Sequence, residues 1–379
     1  MPIPPGLVVV GGGPAGVAAA AAFRETDPDT SITIVQAEDS ACYWRPRLPE
    51  VVAGSLAGER ILLYPPDWYT ERNLGLRLGT AAESIDREAR RIRLASGDVL
   101  SYRRLVLAPG AEPIHPSIAG LPLPKVHVLR TLADAEAIRT CARGHRVAAL
   151  VGGGLLGLEA GYALTRLGLR VVVIENGSRI LPRQTDDEGS AKLQQRLAPL
   201  GFEFFAGTSV RRVVPRGGQV VLNLADGAEL AVDLVLISAG VRPHLGLAEA
   251  AGLACGRGIQ VDDYLRTSDS RIYAAGDAAE WRGRVSGLWS AAQAMGRVAG
   301  RNAAGDEVPY VADAPYAALK VAGVPLVSQG ELQPERARVL VHCDDPAGVW
   351  IKLFIRDERL IGALQIGTTA GARRYQELI

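Results

Sequence analysis

Cysteine is scarce in this chain of 379 residues, which has only four. Cys42, Cys141, Cys255 and Cys343 are widely separated, and no two of them form a C-x-x-C or C-x-x-x-x-C pair. The spacings that are typical of metal knuckles and of redox-active disulfides are therefore absent. Isolated cysteines are usual in a reducing cytosol, so we expect a cytoplasmic protein without a bound metal.

The chain also lacks long apolar runs and an excess of charge of one sign. The apolar run Leu7–Phe23 is interrupted by four glycines and a proline, and no stretch of about 20 apolar residues occurs. No basic segment precedes an apolar stretch and a small-residue cleavage site, so we expect neither a signal peptide nor a stable membrane association. The formal net charge of +1 gives no reason to expect a nucleic-acid partner.

A glycine-rich turn occurs twice in the sequence. In the first copy, the apolar run 7–10 predicts a buried parallel strand, and G-x-G-x-x-G follows before an alanine-rich segment. The first glycine allows a tight turn, the second lets a diphosphate approach the backbone, and the third lets the helix pack on the strand. The helix N-terminus would direct its N–H groups at the diphosphate. The expected cofactor-binding positions here are Gly11, Gly13, Pro14, Ala15 and Gly16.

The next predicted strand, 31–35, should end near the ribose of this first cofactor. A carboxylate at that position usually accepts hydrogen bonds from the ribose hydroxyls. Gln36 occupies the usual position, and Glu38 follows two residues later. We therefore expect Glu38 to be the ribose ligand.

The second copy begins with the predicted strand 147–151 and lies 141 positions after the first. Its expected cofactor-binding positions are Gly152, Gly154, Leu156 and Gly157. The following strand, 170–174, ends directly on Glu175, which would accept a hydrogen bond from a free 2′-hydroxyl and repel a 2′-phosphate. The second site should therefore prefer NADH to NADPH, although Arg179 and Arg183 lie near in sequence and leave NADPH possible.

The duplication extends beyond the glycines. Residues 94–113 and 224–243 match at a constant offset of 130, and each contains a hairpin turn, an apolar strand that ends on Gly, and a Pro three residues later. Each half thus has the same order of elements, which favours two bound dinucleotides.

A third segment, "IYAAGD" at 272–277, indicates which copy holds which cofactor. Gly276 would let a backbone pass closely, and Asp277 would lie at the start of a helix. An acid there can bind ribityl hydroxyls, which FAD has and NAD lacks. We therefore assign Gly276 and Asp277 to FAD.

With these motifs in place, the chain resembles the pyridine nucleotide-dependent flavoprotein reductases over roughly residues 5–305. The resemblance rests on the two G-x-G-x-x-G motifs, the return at Ala108–Gly110 and the distal "IYAAGD". It implies an α/β fold with two Rossmann-like, three-layer β-β-α dinucleotide-binding domains and a small C-terminal α+β domain. The implied domains are 1–110 with 241–305 for tightly bound FAD, 111–240 for NAD(H), and 306–379 as an interface domain. Pro109 departs from the family, which often has Thr in the return motif, whereas Ala108 and Gly110 are retained.

The segment "AEDSACYWRPRLPE" (37–50) is similar to one in rubredoxin, ferredoxin and nitrite reductase flavoproteins. By that resemblance, Arg45 lies over the adenine and phosphates of FAD, and Pro46 belongs to the loop that then runs under the flavin. Oxygenase-type ferredoxin reductases end this segment with Lys near the flavin, whereas Glu50 stands here. The residues "RPRLPE" (45–50) look closer to those of the NADH:rubredoxin reductases.

Two further residues are expected to act near the reacting rings. By resemblance, Glu159 lies near the nicotinamide and orients its amide, with a purely local role at a helix N-terminus as the alternative. Only four of the 42 basic residues are Lys, and Lys320 lies between apolar residues in a segment similar to the rubredoxin reductase C-terminal domain. Lys320 would stabilise the negative charge of the reduced flavin, or else extend from a strand edge into solvent. Gly240 should allow close approach at the wall of the NADH site.

The resemblance implies an NADH-dependent flavoprotein oxidoreductase in which NADH gives a hydride to the flavin, with the protein aligning the two rings. The electrons would then pass to a small iron–sulfur protein, with rubredoxin favoured. The loop 280–289 carries Trp281, Arg282, Arg284 and Trp289, a mixture suited to transient docking of an acidic carrier. An ordinary surface loop is the alternative.

Other functions stay open at this stage. NADH:ferredoxin reduction and NADH oxidation are alternatives, although Cys42 is misplaced for the reactive cysteine of peroxidase members. A quinone reductase would need an amphipathic membrane anchor. The final segment of the sequence is short and has only one basic pair, so we do not expect this function. A complete nitrite reductase would need a set of cysteines to hold its iron–sulfur centre, and the four scattered cysteines do not supply one. A flavoprotein that senses NADH and acts through a partner is the alternative that is not an enzyme.

Overall fold

The computed structural model describes residues 6–312, 316–332 and 334–379, which form two compact units. Unit 1 comprises residues 6–45, 58–112 and 241–312. Unit 2 comprises residues 46–57, 113–240, 316–332 and 334–379. The division into three domains at the boundaries given above stays a prediction.

Helices and strands alternate along most of the described chain. The helices are α1 (Pro14–Thr26), α2 (Leu48–Val52), α3 (Pro66–Glu71), α4 (Leu132–Ala142), α5 (Leu155–Arg166), α6 (Asp187–Leu197), α7 (Gly246–Ala250), α8 (Trp289–Ala304) and α9 (Ala372–Leu378). Short 3₁₀ helices occur at Arg45–Arg47, Gly58–Ile61, Ala198–Leu200 and Gly276–Ala278.

The strands fall into parallel and antiparallel groups. In chain order they are β1 (Gly6–Val10), β2 (Ile32–Val35), β3 (Leu74–Arg77), β4 (Ala82–Asp86), β5 (Arg91–Leu94), β6 (Val99–Leu107), β7 (Ala111–Pro113), β8 (Val126–Val128), β9 (Val147–Val151), β10 (Arg170–Glu175), β11 (Phe202–Ala206), β12 (Val210–Arg216), β13 (Gln219–Leu224), β14 (Glu229–Val232), β15 (Leu234–Ile237), β16 (Val241–Pro243), β17 (Ile259–Val261), β18 (Ile272–Ala274), β19 (Ala279–Trp281), β20 (Tyr316–Val321), β21 (Val324–Gly330), β22 (Arg338–Asp344), β23 (Val349–Arg356) and β24 (Arg359–Ile366).

Unit 1 is built on a parallel sheet in which β6 pairs with both β1 and β18, and β1 continues to β2 and β3. All five residues of β1 are buried, as the predicted parallel strand requires. Val10 lies opposite both Val35 and Leu107, and Leu107 lies opposite Ala274. The carboxyl ends of four strands therefore meet at one edge of the sheet.

Helices α1 and α8 pack with their backbones in contact. A Cβ atom at Gly296 would lie 2.2 Å from the Ala15 carbonyl oxygen, and one at Gly300 would lie 2.1 Å from that of Ala19. Only glycine fits at these two positions of α8, and this fixes the start of α1 against the unit.

Unit 2 contains a second parallel sheet, in the order β11-β10-β9-β15-β8, and an antiparallel meander of β12, β13 and β14. Val151 lies opposite both Ile174 and Ile237, so β9, β10 and β15 end at the same edge. This arrangement repeats that of unit 1, and the hairpin predicted in each repeat is formed by β5 with β6 and by β13 with β14.

The C-terminal part of unit 2 is an antiparallel sheet in the order β20-β21-β24-β23-β22. The runs 339–342, 349–355 and 360–366 predict strands, and β22, β23 and β24 are longer than these runs by three, one and one residues. The N-terminus of α6 packs on this sheet, where a Cβ at Gly189 would lie 2.5 Å from the Leu364 side chain. Lys352 of β23 also reaches α6, with its Nζ 2.5 Å from Asp186 and 2.9 Å from Glu188.

Candidate dinucleotide-binding sites

The first glycine loop connects β1 to α1, and of the three glycines of its motif two are crowded and one is open. Gly11 has a φ of +103°, and a Cβ there would lie 2.0 Å from the Ala108 carbonyl oxygen. A Cβ at Gly16 would lie 1.8 Å from the Gly11 carbonyl oxygen. At Gly13 no atom lies within 4 Å of such a Cβ. The loop is thus packed on its inner side and leaves space at Gly13 for a ligand.

Helix α1 begins at Pro14 with Gly13 as its N-cap, and no side chain caps it. The first N–H groups of a helix have no intrahelical acceptor, so an anion can take that role. The open Gly13, the uncapped helix end and the absence of an acidic side chain in the first turn fit a diphosphate. These residues could therefore hold FAD, as the sequence predicts.

The other elements expected around FAD converge on this loop within unit 1. Ala108 donates its N–H to the Val10 carbonyl oxygen at 2.8 Å, and Gly110 follows with a φ of +76°. Gly276 has a φ of +75°, and a Cβ there would lie 2.8 Å from the Ala15 Cβ. Half-buried Asp277 therefore lies next to the start of α1.

Gln36 has a role that the sequence reasoning missed. Its side-chain Oε1 accepts a hydrogen bond of 2.8 Å from the Gly12 N–H, in the middle of the glycine loop. Gln36 is buried at the end of β2, the position at which the second copy has Glu175. Aligning the two copies of the repeat places Gln36 at the position of Glu175, and this alignment could have identified the role of Gln36.

Glu38, the expected ribose ligand, lies in a small polar network. Its carboxylate accepts hydrogen bonds from the Tyr43 hydroxyl and from the Arg45 guanidinium. The structure thus brings together Glu38 and Arg45, two residues assigned to the adenosine half of FAD. Pro46 follows Arg45 in the same 3₁₀ helix and is exposed.

Cys42 is buried beside this network. Burial raises the pKa of the Cys42 thiol from 9.0 to about 12, so the thiol stays protonated at neutral pH. A thiolate is required for redox or nucleophilic chemistry. This agrees with the sequence position of Cys42, which is misplaced for the reactive cysteine of peroxidase members.

The second glycine loop, between β9 and α5, repeats the first. Gly152 has a φ of +108°, and a Cβ there would lie 2.3 Å from the Ser238 carbonyl oxygen. A Cβ at Gly157 would lie 2.9 Å from the Gly152 carbonyl oxygen, whereas one at Gly154 meets nothing within 4 Å. Gly154 is the N-cap of α5, again without a side-chain cap, and Leu156, two residues later, is 51% exposed. This loop also fits a diphosphate.

Glu175 connects the end of β10 to this loop. Its Oε2 accepts a hydrogen bond of 2.7 Å from the Gly153 N–H, and its Oε1 accepts one of 2.7 Å from the Gly177 N–H. The nearby Arg179 is engaged elsewhere, because its guanidinium binds Asp187 at 2.8 Å and the carbonyl oxygens of Thr185 and Pro182. Arg179 therefore does not neutralise the Glu175 carboxylate at the end of β10.

Glu159 lies on α5, one turn after the glycine loop. Its Oε1 accepts a hydrogen bond of 2.7 Å from the N–H of Ala322, which is buried in the turn between β20 and β21. The helix of the second glycine loop is thereby linked to the C-terminal sheet. Lys320 lies in β20, but its side chain is outside the described residues. Gly240 has a φ of +96°, and its carbonyl oxygen accepts a hydrogen bond from the Ile114 N–H.

The loop expected to dock a carrier is partly neutralised. The guanidinium of Arg282 binds the Asp263 carboxylate at 2.9 Å and lies over the Trp281 ring at 4.7 Å. Arg284 is exposed, and Trp289 stacks on Trp44 with 5.0 Å between ring centroids. A docking role for this loop stays a prediction.

The described residues contain neither a candidate metal-binding cluster nor a candidate membrane-spanning helix. No group of three or more His, Cys, Asp or Glu side chains among them could hold a metal ion. Nor does any helix in the described part of the chain have the length and apolar character to cross a membrane.

Two family models match this chain. Residues 5–296 match the model of the pyridine nucleotide-disulphide oxidoreductases, and residues 315–379 match that of the rubredoxin NAD+ reductase C-terminal domain. Both matches agree with the residues that carry the resemblance found in the sequence.

Individual relatives differ in how much of their length the chain spans. An assimilatory nitrate reductase electron transfer subunit of Bacillus subtilis is 32% identical over 97% of this chain and 48% of its own length. An NADH-rubredoxin oxidoreductase of Clostridium acetobutylicum is 31% identical over 98% of this chain and 94% of its own length. The chain spans less than half of the nitrate and nitrite reductase proteins that it matches.

Among solved structures, an NAD-dependent persulfide reductase from A. fulgidus superimposes with a TM-score of 0.89 at 30% identity, covering 98% of this chain and 75% of that one. This likeness confirms the predicted fold class.

Proposed function

Because this chain belongs to the pyridine nucleotide-disulphide oxidoreductase family, we propose that it is an NADH-dependent flavoprotein that reduces a small iron–sulfur carrier of the rubredoxin type. When bound, FAD supplies the chemistry: it accepts a hydride and can release the two electrons singly. The protein's own part is to bind and orient the two cofactors.

The observation that carries the proposal is the duplicated loop with one open glycine in each unit. Gly13 and Gly154 both leave space at an uncapped helix N-terminus. Asp277, which would bind the ribityl hydroxyls, lies beside the first loop only. Unit 1 would therefore hold FAD tightly, and the loop of unit 2 would take NADH.

Preference for NADH over NADPH is supported by Glu175 and Arg179. The Glu175 carboxylate is held by two backbone N–H groups, where it would accept a hydrogen bond from a 2′-hydroxyl and repel a 2′-phosphate. Arg179, the nearest cation in sequence, already binds Asp187.

The carrier is proposed from two lines of support. The C-terminal residues 315–379 match a rubredoxin reductase domain, and the similar Clostridium acetobutylicum protein carries rubredoxin in its name. The protonated Cys42 weighs against the peroxidase type of chemistry, which needs a reactive thiolate.

The proposal is tested with Gly13→Val and Gly154→Val. Both glycines have extended backbone dihedral angles that valine tolerates, and the added Cβ meets no protein atom, so each variant should fold. Gly13→Val should purify without flavin absorbance. Gly154→Val should keep its flavin. The NADH concentration that gives half-maximal reduction should be at least about tenfold higher than in the wild-type protein.

The acceptor is then identified by comparing reoxidation of the NADH-reduced protein by rubredoxin, ferredoxin, quinone and O₂. Rubredoxin should be fastest. A wild-type protein that is colourless and takes up no FAD, or two variants that behave alike, would reject the proposed function.

A second candidate is favoured by the Bacillus subtilis relative that is an electron transfer subunit of nitrate reductase. In that case the chain would deliver electrons to a separate reductase instead of a small carrier. Slow reoxidation by every small carrier, with fast reduction by NADH, would support this candidate.

A further inference from the structure

Arg179 lies in the loop between β10 and α6, and three acceptors hold its guanidinium. Its Nη1 donates to Asp187 Oδ1 at 2.8 Å, its Nε to the Thr185 carbonyl oxygen at 3.2 Å, and its Nη2 to the Pro182 carbonyl oxygen at 3.5 Å. Asp187 is the charged one of these three acceptors. The side chain of Arg179 is 18% exposed and that of Asp187 is 84% exposed. A carboxylate in solvent therefore holds a largely buried cation.

The backbone of this loop is fixed by contacts that do not involve Arg179. Ile180 and Leu181 are fully buried, and the Leu181 N–H donates a hydrogen bond of 3.0 Å to the Gly153 carbonyl oxygen in the second glycine loop. The Thr185 hydroxyl donates to the Ile180 carbonyl oxygen at 3.0 Å. Removal of the Asp187 carboxylate should therefore release the Arg179 side chain without unfolding the loop.

The backbone of Arg179 also lies close to the Glu175 carboxylate. A Cβ atom at Gly177 would lie 3.2 Å from Glu175 Oε1 and 3.8 Å from the Arg179 carbonyl oxygen, so both groups border the same small space. An arginine side chain is long and flexible, and a released one can reach the carboxylate from this position. Arginine also binds phosphate with two parallel hydrogen bonds. The position of the guanidinium therefore determines whether a phosphate-binding cation lies beside Glu175.

We propose that Asp187 is a specificity-determining residue for the nucleotide, because it holds Arg179 away from Glu175 and so withholds the cation that a 2′-phosphate would bind. This inference rests on the proposed function, in which the second glycine loop takes NADH. An ion pair with an exposed partner is weak, whereas arginine binds phosphate strongly. Discrimination against NADPH should therefore depend on a contact that one substitution removes. Asp187 acts through Arg179 and is a positioning residue.

The test measures the binding of 5′-AMP and 2′,5′-ADP to the flavin-loaded chain by isothermal titration calorimetry. These two probes differ only in the 2′-phosphate. Asp187→Ala should lower the Kd of 2′,5′-ADP about fivefold or more, and should leave the Kd of 5′-AMP within about twofold of the wild-type value. The gain should decrease at high salt, because salt screens charges that are exposed to solvent.

Two further variants separate the release of Arg179 from a general loss of negative charge. Glu188→Ala removes the same charge one position later in the first turn of α6, from a residue that pairs with Lys352. It should leave the ratio of the two dissociation constants unchanged. The double variant R179M/D187A removes the released cation and should abolish the gain for 2′,5′-ADP.

Three results would overturn the inference. They are an unchanged ratio in Asp187→Ala, an equal gain in Glu188→Ala, and a gain that persists in R179M/D187A. In each case 5′-AMP still binds, and the proposed NADH site stands. A wild-type chain that binds neither probe would instead reject the second glycine loop as a nucleotide site, and with it both the proposed function and this inference.

Discussion

The Gly153 N–H donates a hydrogen bond of 2.7 Å to Glu175 Oε2, so the residue at the end of β10 fixes the middle of the second glycine loop. The same carboxylate is the group proposed to distinguish NADH from NADPH. The geometry of the loop and the proposed choice of nucleotide therefore involve the same side chain.

Glu175→Ala should lower kcat/KM for NADH and move the ratio of NADH to NADPH efficiency toward NADPH by about tenfold. The variant removes an acceptor for the 2′-hydroxyl and a negative charge that opposes the 2′-phosphate. Steady-state kinetics with both nucleotides measure the ratio. Glu203→Gln, an exposed position on the neighbouring β11, is the control. An unchanged ratio in Glu175→Ala would show that the cofactor ribose lies elsewhere.

Glu159 combines a charge with a hydrogen bond, and two variants separate them. Glu159→Gln keeps an oxygen that can accept from the Ala322 N–H but removes the charge. We expect several-fold slower reduction of the flavin by NADH with an unchanged Tm. Glu159→Ala removes the hydrogen bond as well, and should lower stability by about 1 kcal/mol. Stopped-flow reduction and thermal unfolding report the two effects. If NADH reduces Glu159→Gln as fast as the wild-type protein, the role of Glu159 is limited to holding the β20–β21 turn.

The buried thiol of Cys42 makes stability depend on alkaline pH. Its pKa is about 12 in the folded protein and near 9.0 in an unfolded chain, so the unfolded state loses this proton first as the pH rises. The contribution of Cys42 is complete below pH 9 and declines above it, by at most about 1.4 kcal/mol per pH unit.

Urea unfolding between pH 8 and about 10.5 measures this decline, and Cys42→Ala should flatten it. Below pH 9 the same variant should keep wild-type electron transfer, because the thiol takes no part in it. Loss of activity in Cys42→Ala with normal flavin content would contradict the assignment of Cys42 as a packed thiol.

Lys352 pairs with Asp186, and both side chains are largely buried. Lys352→Met should destabilise the protein by about 3 kcal/mol, because it leaves the carboxylate of Asp186 buried without its cation. Glu188 is the other partner of Lys352 but is exposed, so Glu188→Gln should cost less than about 1 kcal/mol. Equal losses in the two variants in urea unfolding would contradict this account.

Arg284 and Arg282 should contribute unequally to carrier docking. Arg282 is already paired with Asp263, whereas Arg284 is exposed. Arg284→Glu should slow reoxidation by an acidic carrier several-fold, with a strong dependence on salt, and Arg282→Glu should have the smaller effect. Reduction by NADH should be unaffected in both. If reduction by NADH slows instead, this loop is not a docking surface.

The glycine loops were predictable from sequence because their steric requirements are local. A tight turn at Gly11 or Gly152 needs a positive φ, and only glycine adopts it at no cost. The parallel strands were equally clear, because their apolar runs are short and bounded by those turns. The role of Gln36 was missed, since a neutral amide at the end of β2 has no motif of its own.

Contacts between distant segments could not be predicted. Lys352 and Asp186 are separated by 166 positions, and nothing in the local sequence of either identifies the other. All seven residues of β22 are exposed, and this could not be predicted for a related reason. The apolar run Val339–Val341 predicts a strand, but it does not tell whether a neighbouring strand covers it.

The glycines of α8 have a consequence for how the flavin site tolerates change. Gly296 and Gly300 are far from the first glycine loop in sequence, yet their missing side chains set how closely α1 can approach. A single methyl group at either position would act as a spacer and push α1 outward, together with its N-terminal end, which is proposed to face the FAD diphosphate. Replacing Gly296 or Gly300 with alanine is a small change inside a helix, but we expect it to weaken the retention of FAD.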